Sequence, residues 1–127
     1  MIVVELPIYW QQSKRKTVLV GMNNYRNWHW RTSAKFKLDF AELVAPQLKE
    51  CLPITGQFEV SMLLYYKNAV CDPSNITPLI EKVVLDELVG AGLLQGDSTK
   101  FHVKTAWEVV GQDRDNPRCV VGVRAYE

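Results

Sequence analysis

The chain has 127 residues, enough for one domain with one sizeable core. Apolar residues make up 47% and charged residues 23%, ordinary for a soluble globular protein, and no apolar run approaches the roughly 18 residues of a membrane span. The net charge of +1 by itself says nothing about nucleic acid.

The opening stretch, MIVVELPIYW, carries Glu5 and no basic start. That is unlike a signal peptide. Ile2 to Tyr9 alternates and is rich in β-branched residues, which predicts a strand. Thr17 to Val20 predicts a second, with KRK as the loop between them. Asn23-Asn24 opens an irregular segment to about Thr32. Ser33 is a helix N-cap candidate, followed by Phe36, Phe40, Leu43, Val44 and Leu48 at helical spacing. Pro46 lacks a backbone donor, so this helix should kink or end near it.

Phe58 to Tyr66 predicts a mostly buried strand, and Asn68 to Ile76 a loop. Thr77-Pro78 then gives a helix start, with Thr as the cap and Pro in the first helical position. Ile80, Val83, Val84 and Leu88 line its inner face, and Lys82 and Asp86 sit one turn apart on the other. Gly90 or Gly92 should stop it. Phe101 to Val110 and Cys119 to Tyr126 predict two final strands, joined as a hairpin by QDRDNP. The expected order is β-β-α-β-α-β-β: one α/β domain over residues 1–127, with a mixed sheet and two main helices packed on it.

Cys51, Cys71 and Cys119 are scattered and form no CxxC pair. They predict free thiols in a reducing cytoplasm rather than a zinc site. Charge is unevenly spread. Lys14, Arg15, Lys16, Arg26, Arg31, Lys35 and Lys37 fall between Gln11 and Lys37 with no acid among them. The rest of the chain holds eight bases and all fourteen acids. A basic end beside an acidic remainder suits phosphate binding; the alternative is a solvated loop and helix start. Tyr25, Trp28 and Trp30 in that stretch either stack on unpaired bases or anchor a loop to the core or to a dimer partner. His29 is either a proton shuttle or a structural hydrogen-bonding group.

Asp72 precedes the second helix and Asp97 follows it. A helix from Thr77 to Ala91 advances about 21 Å, and an extended Gly92–Asp97 running back beside it returns about 17 Å. On that path the two carboxylates meet at the helix N-terminus, where they could hold Mg²⁺. The alternative is that Asp72-Pro73 and Gly96-Asp97 are simply turn residues.

Two segments, NNYRNWHWRTSAKFK and DPSNITPLIEKVVLDELVGAGLLQGDS, resemble the RusA-type Holliday-junction resolvases, particularly phage and prophage members. The family pattern is D-x-D-N, a helix Lys, D-x-L-x-x-x-G, then D-D. Asp72 and Asn75 match its first acid and its asparagine; Lys82 is similar to the helix lysine. Asp86, Leu88 and Gly92 match the middle, and Asp97 the last acid. Ser74 stands where the second acid is expected and Gly96 where the first of the final pair is.

The resemblance implies a RusA-like fold and a homodimeric, Mg²⁺-dependent endonuclease acting on four-way DNA junctions in recombination and repair, with Mn²⁺ able to replace Mg²⁺. It implies a cytoplasmic place in a bacterial host cell and no membrane partner. Asp72, Asp97 and Lys82 would be catalytic, and Asp72, Asp97, Ser74 and Asn75 would surround the metal. Lys14, Arg15, Lys16, Arg26, His29, Arg31, Lys35 and Lys37 would face DNA. Because Ser74 removes a ligand, the alternative is a weakened relative that binds branched DNA or a protein partner without efficient cleavage.

Overall fold

The computed structural model describes all 127 residues. Its ten elements run β1 (Ile2–Pro7), β2 (Tyr9–Ser13), β3 (Lys16–Leu19), α1 (Met22–Asn27), α2 (Trp30–Val44), a 3₁₀ turn (Ala45–Leu48), β4 (Phe58–Tyr66), α3 (Pro73–Gly90), β5 (His102–Gln112) and β6 (Arg118–Ala125). The main sheet is mixed, in the order β1-β6-β4-β5, and β2 and β3 form a separate ribbon. β1 and β4 are both antiparallel to β6, while β5 is parallel to β4. This is a small α/β domain.

The alternation read in the sequence is what seats the sheet. Ile2, Val4 and Leu6 of β1, Phe58, Val60, Met62 and Leu64 of β4, and Cys119, Val121 and Val123 of β6 all point inward. Phe36, Phe40 and Val44 of α2, and Ile80, Val84 and Leu88 of α3, close that face into one core. Each such side chain contributes about 1.5–3 kcal/mol when fully buried. No helix is long and apolar enough to cross a membrane.

Several expectations need correction. The first strand is two. Pro7 cannot donate to a ladder, the chain leaves the main sheet after it, and Val20 instead donates to the Ile8 carbonyl at 2.8 Å. The Asn23–Thr32 segment is not irregular. Met22–Asn27 forms helix α1, held by tertiary contacts that override the weak helix propensity of its asparagines. Ser33 is not the cap of α2. His29 is, its Nδ1 accepting from the Arg31 N–H at 3.2 Å.

Thr77-Pro78 does not start α3. Asp72-Pro73 starts it five residues earlier, with Pro73 in the first helical position. The extra turn pays by burying Ile76 and Thr77, and the Thr77 hydroxyl donates to the Pro73 carbonyl at 3.0 Å. Pro46 does end α2, and Gly92, at φ 76°, follows the end of α3. Finally, β5 and β6 are not a hairpin, because β4 lies between them. Residues 113–117 cross over its end, held by Asp113 N–H to the Tyr66 carbonyl and by an Arg118–Asp113 ion pair, both at 2.8 Å.

All three cysteines are unpaired. Cys119 sits in the core, and burial pushes its thiol up from 9.0 to about 12. Unfolding lets it ionise near its ordinary value. This contribution to stability is therefore intact below pH 9.0 and is lost as pH rises toward about 12. The urea midpoint should fall above pH 9, and Cys119→Ala, though less stable throughout, should show a shallower fall. Parallel pH profiles for the two proteins would exclude the thiol as the cause.

Candidate nucleic-acid interface

The first turn of α3 lies against α1 in a cleft of about 220 Å³ lined by Met22, Asn23, Arg26, Asp72, Ser74, Asn75 and Pro78. Asp72 is the helix cap: its Oδ1 accepts from the Ser74 N–H at 3.0 Å. Asn75 does not act locally. Its Oδ1 accepts from the Asn23 N–H at 2.8 Å, supplying a partner for the start of α1 across 52 positions of sequence. Gly21 lets this happen. A Cβ there would lie 2.4 Å from Asn75 Nδ2.

Asp97 is not in this cleft. After α3, Leu93 and Leu94 are buried, and Leu94 bridges Ile54 in parallel. The Gln95 side chain accepts from the Gly56 N–H at 2.7 Å, and Phe101 accepts from the Phe58 N–H at 2.8 Å. Asp97 thus lies beside the start of β4. Asp72 follows the end of β4, at the end of the sheet where Ile8 N–H meets the Pro117 carbonyl. β4 has nine residues, about 30 Å at 3.3 Å each. The expected return along α3 is not made, and the two exposed aspartates stand at opposite ends of the sheet.

A Mg²⁺ ion bridging Asp72 and Asp97 within one chain therefore does not fit these donors. Ser74 and Asn75 do stand beside Asp72, but Ser74 is exposed and Asn75 is committed to α1. Lys82 lies ten residues along α3, about 15 Å, facing Asp86 at 3.8 Å in a second cleft shared with Tyr25, Phe36 and Lys37. That ion pair is half exposed and contributes little. Gly96 has a packing role, since a Cβ there would meet the Phe101 ring at 3.1 Å.

The basic residues divide. Lys14 and Arg15 form the exposed turn between β2 and β3, and exposed Lys16 opens β3. Lys35 joins that ribbon to α2: its Nζ donates to the Gln12 carbonyl at 2.9 Å and lies 5.6 Å from the Trp10 ring. Arg31 is one helical turn before Lys35, so the two share a face of α2. Lys35 thus joins the helix face it shares with Arg31 to the ribbon that carries Lys14, Arg15 and Lys16. Arg26 instead lines the Asp72 cleft, and Lys37 lies 5.9 Å from the Tyr25 ring. His29 is a cap, bound to the backbone.

The aromatics divide too. Trp28 packs on Trp10 and Phe36 at 5.1 and 5.2 Å, and Tyr25 packs on Trp28 at 5.9 Å, so both anchor the loop to the core. Trp30 is 68% exposed, with the Arg31 guanidinium 5.2 Å from its ring. The arrangement can offer a flat apolar face beside fixed positive charge.

No family model matches this chain, and no curated protein matches it either. Sequence reasoning missed Gly21 and Trp10 altogether. Trp10 donates its Nε1–H to Asp39 at 2.9 Å, tying ribbon to helix. A glycine before an Asn-rich stretch was the available signal for Gly21. Gly21→Ala should force the Asn75 amide aside and release the Asn23 N–H, costing about 1–3 kcal/mol. Thermal melting checks this: a midpoint within 1 °C of the parent would mean that the cleft yields freely.

Proposed function

We propose that this protein is a RusA-like protein that binds branched or partly unpaired DNA without efficient cleavage. The observation that carries the reading is Trp30, exposed to solvent with the Arg31 guanidinium 5.2 Å from its ring, at the start of the helix that Lys35 ties to the basic β2–β3 ribbon. Phosphates of a duplex arm meet Lys14, Arg15, Lys16 and Arg31, releasing counterions. An unpaired base at a branch stacks on the Trp30 ring, which accepts any base because every base has a π-face. The sequence resemblance in the Asn23–Lys37 stretch supports branched DNA as the substrate class.

The nuclease reading asks for a second carboxylate beside Asp72, and binding asks for none. Mg²⁺ at a paired site would polarise the scissile phosphate and activate water. On this reading Asp72 serves as a helix cap, and the chain's basic and aromatic residues bind and orient DNA.

Binding to a synthetic four-way junction and to a matched duplex, followed by fluorescence anisotropy, tests this. Trp30→Ala should weaken junction binding about tenfold and duplex binding much less. Lys14→Ala with Lys16→Ala should weaken both and reduce the logarithmic salt slope by about 1–2. Equal affinity for the two DNAs, unchanged in Trp30→Ala, would refute the proposal. In Mg²⁺, Asp97→Asn should leave both junction binding and integrity of the strands unchanged. Metal-dependent paired nicks that vanish in both Asp72→Asn and Asp97→Asn would instead establish the nuclease.

A further inference from the structure

The two edges of the main sheet are finished differently. At the β1 edge, Gln47 behaves as a substitute strand. Its Oε1 accepts from the Glu5 N–H, and its Nε2 donates to the Glu5 carbonyl, both at 2.8 Å. Pro7 ends that strand without a donor. The β5 edge has no such cover. Its only strand neighbour is β4, and it is long at eleven residues.

Every residue from Val103 to Val110 is exposed, including Trp107 at 45% and Val109 at 40%. A long, apolar, unpaired edge is a template for another strand unless something blunts it. Irregularities in pairing with β4 fall at Val103 and Val110, so the stretch between them, Lys104–Val109, is regular.

The charges in that stretch say which strand fits. Lys104 and Glu108 point to the same face, opposite Glu59 and Leu63 of β4. Neither forms an ion pair within the chain; the Glu59 carboxylate is taken by Arg124. They lie symmetrically about Ala106. An antiparallel copy of β5, related by a two-fold axis through Ala106, places Lys104 opposite Glu108 of the second copy, and Glu108 opposite its Lys104. The same register sets Thr105 against Trp107 on the other face, so the two Trp107 rings flank the axis within the roughly 7–8 Å reach of diagonal neighbours. A two-fold perpendicular to a sheet must pair residues of the same parity. Moving the axis to Thr105 or Trp107 loses both charge pairs.

We propose that a second copy of this chain occupies the β5 edge, in this Ala106-centred register, to give a continuous eight-stranded sheet. The interface is isologous, as a closed dimer requires. It stands apart from the DNA-binding proposal, because it is tested without DNA. It also uses a surface other than Tyr25 and Trp28, which are spent in the core.

The experiment is sedimentation velocity on the full chain, with circular dichroism to confirm folding of each variant. The parent should be a dimer at micromolar concentration. Glu108→Lys alone and Lys104→Glu alone should each raise the dimer dissociation constant about tenfold or more, because each sets like charges opposite one another twice. The double exchange, Lys104→Glu with Glu108→Lys, should restore the parent value within about threefold. A second readout is Ala106→Cys, which should cross-link through position 106 under mild oxidation, whereas Lys104→Cys should not. A monomeric parent, single exchanges without effect, or a double exchange that fails to rescue would each overturn the register.

Discussion

The constraint on which the rest of the molecule depends is the parallel pairing of β5 with β4. Parallel neighbours need a crossover that carries the chain back to its starting end. Here α3 is that crossover. Its 18 residues span about 27 Å, close to the length of the nine-residue β4 it must undo. With eight of its side chains buried, the helix is also the centre of the core. The residues just before α3 therefore belong to one end of the sheet, and those just after it to the other.

That constraint explains why the strands and helix ends were legible and the placement of Asp97 was not. Strand β4 and the stops of both long helices follow from alternation, from Pro46 and from Gly92, all local signals. The start of α3 was ambiguous because two cap-proline pairs, Asp72-Pro73 and Thr77-Pro78, stand five residues apart. Only the burial of Ile76 and Thr77 decides for the first. Reading β5 and β6 as a hairpin and reading Asp97 as returning to Asp72 are one error. Both leave β5 free to begin at the wrong end. Once His102 pairs with Phe58, Asp97 is fixed near the start of β4.

The short local motifs also concealed a long-range one. Asn75 sits where a turn or a ligand was anticipated, and it serves instead to hold α1, with Gly21 making room. Such a bridge leaves no periodic trace, because its two halves lie in different elements. Similarly, the seven clustered bases look like one patch in the sequence. Folding divides them between the ribbon side of α2, the Asp72 cleft and the Tyr25 ring. Of the three clustered aromatics, it leaves Trp30 alone broadly exposed.

The two proposed surfaces then fall on opposite flanks. Helix α2 packs on β1 and β2, so the basic corner belongs to the β1 side, while the apolar edge is β5. Three strand spacings, about 14 Å, lie between the outer strands of one copy. Joining two copies through β5 by an axis perpendicular to the sheet keeps both helical layers on one side. It also moves the two basic corners to the outer flanks of eight strands, about 34 Å apart. That is close to one turn of duplex DNA. A single copy offers one basic corner. Paired through its uncovered edge as proposed, the same chain would offer two, facing the same way, at a spacing suited to the branched DNA proposed as its ligand.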